Sequence, residues 1–260
     1  MSQFNVLVGK ELRESWRSFK LLWLPLVFVL LGVSDPILNY YMMDILKVVG
    51  GMPEGFQMVM PEFSSTDIVV ASTGQFQSIG LIVLIATFIG TISRERQNGT
   101  ATLLYVRPIS HRAVFLSKWL AASLVAGVSV IAGYIASLYY TVMLYGPVEW
   151  NRFMGMLATY LLWICLVMAI TVAMSASFKT VVAATLTIFL VIGGTILESL
   201  FGSFLTVTPW KLPSFAIALL SDFYDKTNFI INLCLCVGLL IFFIIIGIMM
   251  CRRNASTTKI

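Results

Sequence analysis

Few side chains in this sequence are equipped for chemistry, and they are scattered. His111 is the only histidine, and no His-Glu-x-x-His or Gly-x-Ser-x-Gly run supplies a zinc site or an activated serine. Cys165, Cys234, Cys236 and Cys251 all lie within or at the edge of apolar stretches, which gives no disulfide framework. Cys234-x-Cys236 lacks the second pair of ligands that a zinc centre needs, so the cysteines read as small apolar residues. A Gly-x-x-x-x-Gly-Lys-Ser/Thr phosphate loop is also missing, so this chain does not hydrolyse ATP by that route. The reading names no catalytic residue, no metal ligand and no bound cofactor.

Ionisable groups concentrate in one segment. Arg94-Glu95-Arg96-Gln97-Asn98-Gly99-Thr100 is followed by Leu103-Leu104-Tyr105, then by Arg107-Pro108-Ile109-Ser110-His111-Arg112, and ends at Lys118. It reads as the charged end of one apolar run, a short amphipathic helix, a proline-initiated turn and the approach to the next run. Gly99 supplies backbone freedom and Pro108 fixes the turn. Glu95, Arg96 and Arg112 are expected at a solvated rim, where one exposed ion pair is worth only about 0–1 kcal/mol. Elsewhere Asp35 and Glu198 stand inside apolar runs, where a carboxylate is costly and often functional. Glu198 is a candidate to contact a cationic group or to gate an exit, with Pro209, Trp210 and Pro213 as further candidates at that end. Asp35-Pro36 reads as a helix bend.

The elements that must position these groups follow from composition. Apolar types make up 59% of the 260 residues and charged types 11%, well below the quarter or so that a soluble surface requires. With a mean hydropathy of +0.93 the chain is an all-α, polytopic membrane protein. Six stretches reach the roughly 20 residues of a span: 21–43, 73–93, 119–145, 153–178, 180–200 and 229–251. Gln75 and Gln77 weaken the second. Ser34-Asp35-Pro36 interrupts the first, but no small-x-small cleavage site follows it, so it reads as a retained anchor. Placing both termini in the cytoplasm puts all but Lys47, Arg152, Lys211 and Lys226 of the 17 basic residues on that side, as the positive-inside rule demands. The net charge of +5 thus marks topology in a plasma membrane, and nucleic acid is not a partner.

The whole of 1–260 reads as one transmembrane domain. Residues 1–20 carry Phe4, Val8, Leu12, Trp16 and Phe19 at helical spacing, with Lys10, Arg13, Glu14 and Arg17 on other faces, as in a helix lying against membrane lipid. The acidic residues Asp44, Glu54, Glu62 and Asp67 of the external loop read as a solvated face. Residues 201–228 are too apolar for water and too broken by Gly202, Pro209 and Pro213 to cross as one helix, which suggests a re-entrant hairpin before the last span. Ser129-x-x-x-Gly133-x-x-x-Ser137 and Ala169-x-x-x-Ala173-x-x-x-Ser177 are small-residue stripes suited to close packing within the subunit.

With these parts in view, the segment 94–118 resembles the coupling-helix region of type-2 ABC transporter permeases of the exporter class. Glu95, Gly99, Thr100, Leu103, Leu104, Pro108, Ser110 and Lys118 match that pattern in type and spacing, while Gln97 and His111 depart from it. The resemblance extends to the interfacial helix, the six spans and the re-entrant segment. It implies a permease subunit that pairs with a second permease, as homodimer or heterodimer. It also implies two separate ATPase subunits that bind ATP and Mg and grip this loop. Glu95, Arg96, Gly99, Thr100, Leu103, Leu104, Tyr105, Pro108 and Arg112 would be the coupling residues. A non-transport sensor or scaffold that recruits a soluble partner through the same loop is the alternative, and an integral-membrane enzyme is disfavoured by the nearly uncharged spans.

The topology is checked by cysteine labelling on a cysteine-free background. Cysteines at Ser2 and Thr257 are expected to be shielded from an impermeant reagent applied to whole cells, and one at Pro53 to react. The reverse pattern would refute the orientation.

Overall fold

The computed structural model describes residues 3–42, 45, 63–99, 110–202, 204, 207–221 and 224–257. Among these residues there is no strand, and the helices are α1 (Gln3–Arg17), α2 (Lys20–Tyr40), α3 (Ser65–Gln97), α4 (His111–Tyr145), α5 (Trp150–Ser177), α6 (Thr180–Phe201), α7 (Leu212–Ala218) and α8 (Lys226–Thr257). Six of them, α2 to α6 and α8, are long and apolar enough to cross a bilayer. The end of the bundle that holds α1 and the last turns of α8 is called basal below, and the opposite end distal.

Several helices run beyond the apolar stretches seen in the sequence. α3 starts at Ser65 because Ser64 and Asp67 form a reciprocal capping box, the Asp67 amide donating to Ser64 Oγ and the Ser64 amide to the Asp67 carboxylate. Asp67 therefore starts a helix instead of lying in the loop, while remaining exposed as a solvated residue should; the rest of that acidic group lies outside the described residues. α4 gains two turns before Trp119 for the opposite reason, since its first residues rise out of the apolar layer onto α1. α2 passes through Ser34-Asp35-Pro36 without interruption.

α5 is buried on nearly every side and forms the centre, as a helix apolar all round should. α6 and α8 are equally apolar yet buried along a narrow strip only, so lipid or another apolar surface covers the remainder. α2 lies along α4, where the two backbones nearly touch: a Cβ on Gly32 would fall on the carbonyl of Gly133, and one on Gly133 would stand 2.8 Å from the carbonyl oxygen of Phe28. The Ser129–Gly133–Ser137 stripe thus packs within the subunit.

Most polar groups inside the bundle find partners, several of them on other helices, while Asp35 Oδ2 and Ser123 Oγ are buried with none among the described residues. A π turn at Phe76–Gly80 in α3 presents the two glutamines to different neighbours. Gln75 donates to Asp35 Oδ1 at 2.8 Å and accepts from Ser34 Oγ at 3.0 Å. Gln77 Oε1 accepts from Tyr160 Oη at 3.3 Å and Trp163 Nε1 at 3.2 Å. Both side chains that weakened this span in the sequence are therefore satisfied inside the protein. Tyr134 Oη donates to Thr73 Oγ1 and Ser137 Oγ to Ser72 Oγ, tying α4 to α3.

Gly133→Val is expected to cost about 1–3 kcal/mol by overpacking the crossing. Gly127→Ala and Gly155→Ala, whose new methyls would meet only leucine methyls at 3.8 and 3.9 Å, are expected to be nearly neutral. Thermal unfolding in detergent reads the contrast.

Candidate functional site

The basal end is built around Lys118, one turn after Val114 on α4. Its side chain is 2% exposed, an expensive place for an ammonium unless it is paired. Two carboxylates pair it. Glu11 of α1 accepts at 3.0 Å and Glu95 of α3 at 2.8 Å. Lys10 stands at 3.4 Å from Glu11 and 3.8 Å from Glu95. A carboxylate oxygen from each of Glu11, Glu14 and Glu95 lies within 4.8 Å of the other two, an arrangement able to hold a metal ion. The Lys118 ammonium, touching two of the three, already supplies the cation there.

Toward the end of α3 the backbone is still helical at Ile89, whose amide donates to Ile85 O at 2.9 Å, but the bonding then changes. Just beyond, the amides of Ile92 and Ser93 donate to Ser175 Oγ of α5 at 3.1 and 3.0 Å. Ser93 Oγ meets Thr180 Oγ1 of α6 at 2.8 Å. In the last turn Arg96 Nη1 donates to the Ala176 carbonyl at 2.6 Å, and Asn254 of α8 donates to the same carbonyl at 2.7 Å. Those bonds occupy a carbonyl that the end of α5 leaves without an intrahelical partner. The last turn of α3 is thereby linked, directly or through one shared atom, to α1, α4, α5, α6 and α8.

α3 then stops at Gly99, whose φ of +71° is left-handed and whose amide donates to Arg96 O at 3.3 Å. This is the backbone freedom expected of Gly99. Thr100, Leu103, Leu104, Tyr105 and Pro108 lie outside the described residues. Of the three charges expected at an open rim, Arg112 is exposed there, but Glu95 and Arg96 are half-buried and turned onto the protein. The correction has a physical cause: each finds a partner on the protein, Glu95 the buried Lys118 ammonium and Arg96 the Ala176 carbonyl. Glu11, Ser175 and Asn254 were not singled out in the sequence. One faint signal existed for Glu11, a carboxylate four residues before Ser15 on the same side of α1, and both are buried.

At the distal end, Glu198 and Trp210 line one largely apolar cavity of about 540 Å³ with Leu190, Gly194 and Thr208. Trp210 Nε1 donates to Leu190 O at 3.0 Å, and its ring fills the notch left by Gly194, where a Cβ would collide with it. Ser214 Oγ donates to the Glu198 carboxylate at 3.2 Å. Pro209 opens a 3-10 turn and Pro213 is buried in the first turn of α7. The four distal residues named from the sequence are thus neighbours; Asn232, which accepts from the Thr208 amide at 2.7 Å, is a further member.

Removing Lys118 alone strands two carboxylates, so Lys118→Met is expected to destabilise the protein by about 3–5 kcal/mol. Neutralising all three groups as Glu11→Gln/Glu95→Gln/Lys118→Met is expected to recover most of that loss. Chemical unfolding in detergent checks both, and a single variant as stable as wild type would refute the buried pairing.

Comparison with known proteins agrees with this architecture. The model of the family described as ABC-2 family transporter protein matches residues 5–212. Over 184 residues the chain is 32% identical to the uncharacterized transmembrane protein YxlG of Bacillus subtilis (strain 168), covering 71% of each sequence.

Proposed function

Because the chain belongs to the ABC-2 transporter family, we propose that this transporter permease works as the membrane subunit of an exporter driven by a separate ATPase. In this reading the basal end is cytoplasmic, as the distribution of basic residues favours, and both termini lie there. Two ATPase subunits, which bind ATP and Mg, dock on the segment between Gly99 and Ser110. A second permease, identical or different, completes the pore.

One observation carries the proposal. The residues flanking that segment, Glu95 and Arg96 before it and Lys118 after it, are joined to most of the bundle. A displacement imposed on the segment therefore reaches α1 through Glu11, and α5, α6 and α8 through Ala176, Thr180 and Asn254. Coupling further requires two global states that ATP biases differently. Leu103, Leu104 and Tyr105 supply the apolar grip, Arg112 a peripheral charge, and Thr100 and Pro108 shape the loop.

The distal cavity is the proposed exit. Trp210 contacts a carbonyl eleven residues before the end of α6, about 16 Å along the helix. That depth supports a segment that dips into the outer leaflet and returns, with Glu198 at its mouth.

Leu103→Asp/Leu104→Asp is expected to abolish co-purification of the ATPase while the permease stays folded. Arg112→Glu is expected to weaken it only slightly, since water competes at an exposed pair. If the leucine variant still holds the ATPase stoichiometrically and transports normally, the segment is a connector and the proposal fails.

A further inference from the structure

Beside the Lys118 node lies a cavity of about 340 Å³ between α1, α2, α3 and α4, large enough for a small polar ligand. Three of its six charged residues, Glu11, Glu95 and Lys118, pair with one another. The others are Lys20, Arg94 and Glu14. Among the described residues none of these three side chains makes an ion pair within 4 Å; the Lys20 ammonium instead stands 5.6 Å from the centre of the Phe88 ring. After the internal pairing the cavity therefore offers two cations and one carboxylate. A phosphodiester beside a protonated amine offers each of these groups a partner of opposite sign: the phosphate takes Lys20 and Arg94, and the amine donates to Glu14.

The surroundings favour a lipid as the source. Lys20 is the first residue of α2 and Arg94 lies in the last turn of α3, so both stand where two spans leave the apolar layer. Trp16 and Phe19, both more than half exposed, mark that boundary at the corner between α1 and α2. Trp23, one turn above Lys20, is part-exposed and apolar, and Leu22 and Leu26 continue the exposed apolar surface around the far side of α2, so acyl chains can lie against this helix. From this arrangement we infer that the cavity is a headgroup site for a phospholipid of the basal leaflet carrying a primary amine, of the phosphatidylethanolamine class. A headgroup held there contacts α1, α2 and α3 at once. It would therefore bear on the joint that connects them, whether or not the exporter reading holds.

The test is a lipid titration of the delipidated, full-length protein followed by native mass spectrometry. Phosphatidylethanolamine, phosphatidylglycerol and phosphatidylcholine of matched acyl chains are compared with soluble phosphoethanolamine. One molecule of phosphatidylethanolamine is expected to bind about tenfold more tightly than either other lipid, the worth of one charge-assisted hydrogen bond. Lys20→Gln/Arg94→Gln is expected to abolish this tight binding, and Glu14→Gln to erase the preference over phosphatidylglycerol. Lys20→Arg/Arg94→Lys, which keeps the charges and guards against misfolding of the neutral variant, is expected to retain binding. Equal affinities for the three lipids in the wild type would overturn the inference. So would unchanged binding in the neutral variant, or displacement of the lipid by equimolar phosphoethanolamine.

Discussion

The ammonium of Lys118 has been taken out of water at the edge of a membrane, and that one burial constrains the whole basal end. A lone charge there would cost several kcal/mol, so the protein must bring carboxylates to it. They come from two different elements, α1 and the end of α3, 107 and 23 residues away along the chain. α1 is therefore held by a charge it cannot abandon, as well as by packing. An apolar replacement for the three groups could be as stable, but the ion pairs fix which side of α1 faces the bundle. With Glu11 and Ser15 inward, Trp16 is left outward.

The same economy governs the interior. In a bilayer every polar group needs a protein partner, and the spans meet this mostly with hydroxyls and amides. Ser175 takes two amides near the end of α3, and the π turn lets Gln75 and Gln77 serve α2 and α5 separately. Irregular backbone in α3 thus sits where it is covered, and α3 is the helix that leads toward the segment proposed for coupling.

Sequence alone reveals the spans, their number and the close crossing at Gly133, because hydropathy and small-residue spacing are local signals. It places Gly99 correctly as the end of a helix, since a glycine after charged residues is a local stop signal. Span starts fall up to eight residues late: hydropathy registers only the apolar layer, whereas α3 begins at a cap and α4 at an amphipathic extension. Glu95 and Arg96 are recognisable as special but not as inward-facing, since their partners, Lys118 and the Ala176 carbonyl, lie 23 and 80 residues away along the chain. Lys118 with Glu11 is invisible for a simpler reason: nothing near either residue reports a partner so far along the chain.

The central claim is that the Lys118 node makes α1 and the end of α3 move as one body when the ATPase closes. Double electron–electron resonance between spin labels at Val6 and Gln97, both exposed, measures this in the permease–ATPase complex. In an otherwise wild-type chain the distance is expected to stay single and unchanged between nucleotide-free and ATP-vanadate-trapped states. In the Glu11→Gln/Glu95→Gln/Lys118→Met background it is expected to broaden or shift on trapping. A wild-type distance that changes on trapping, or a neutral variant that behaves like wild type, would contradict the account.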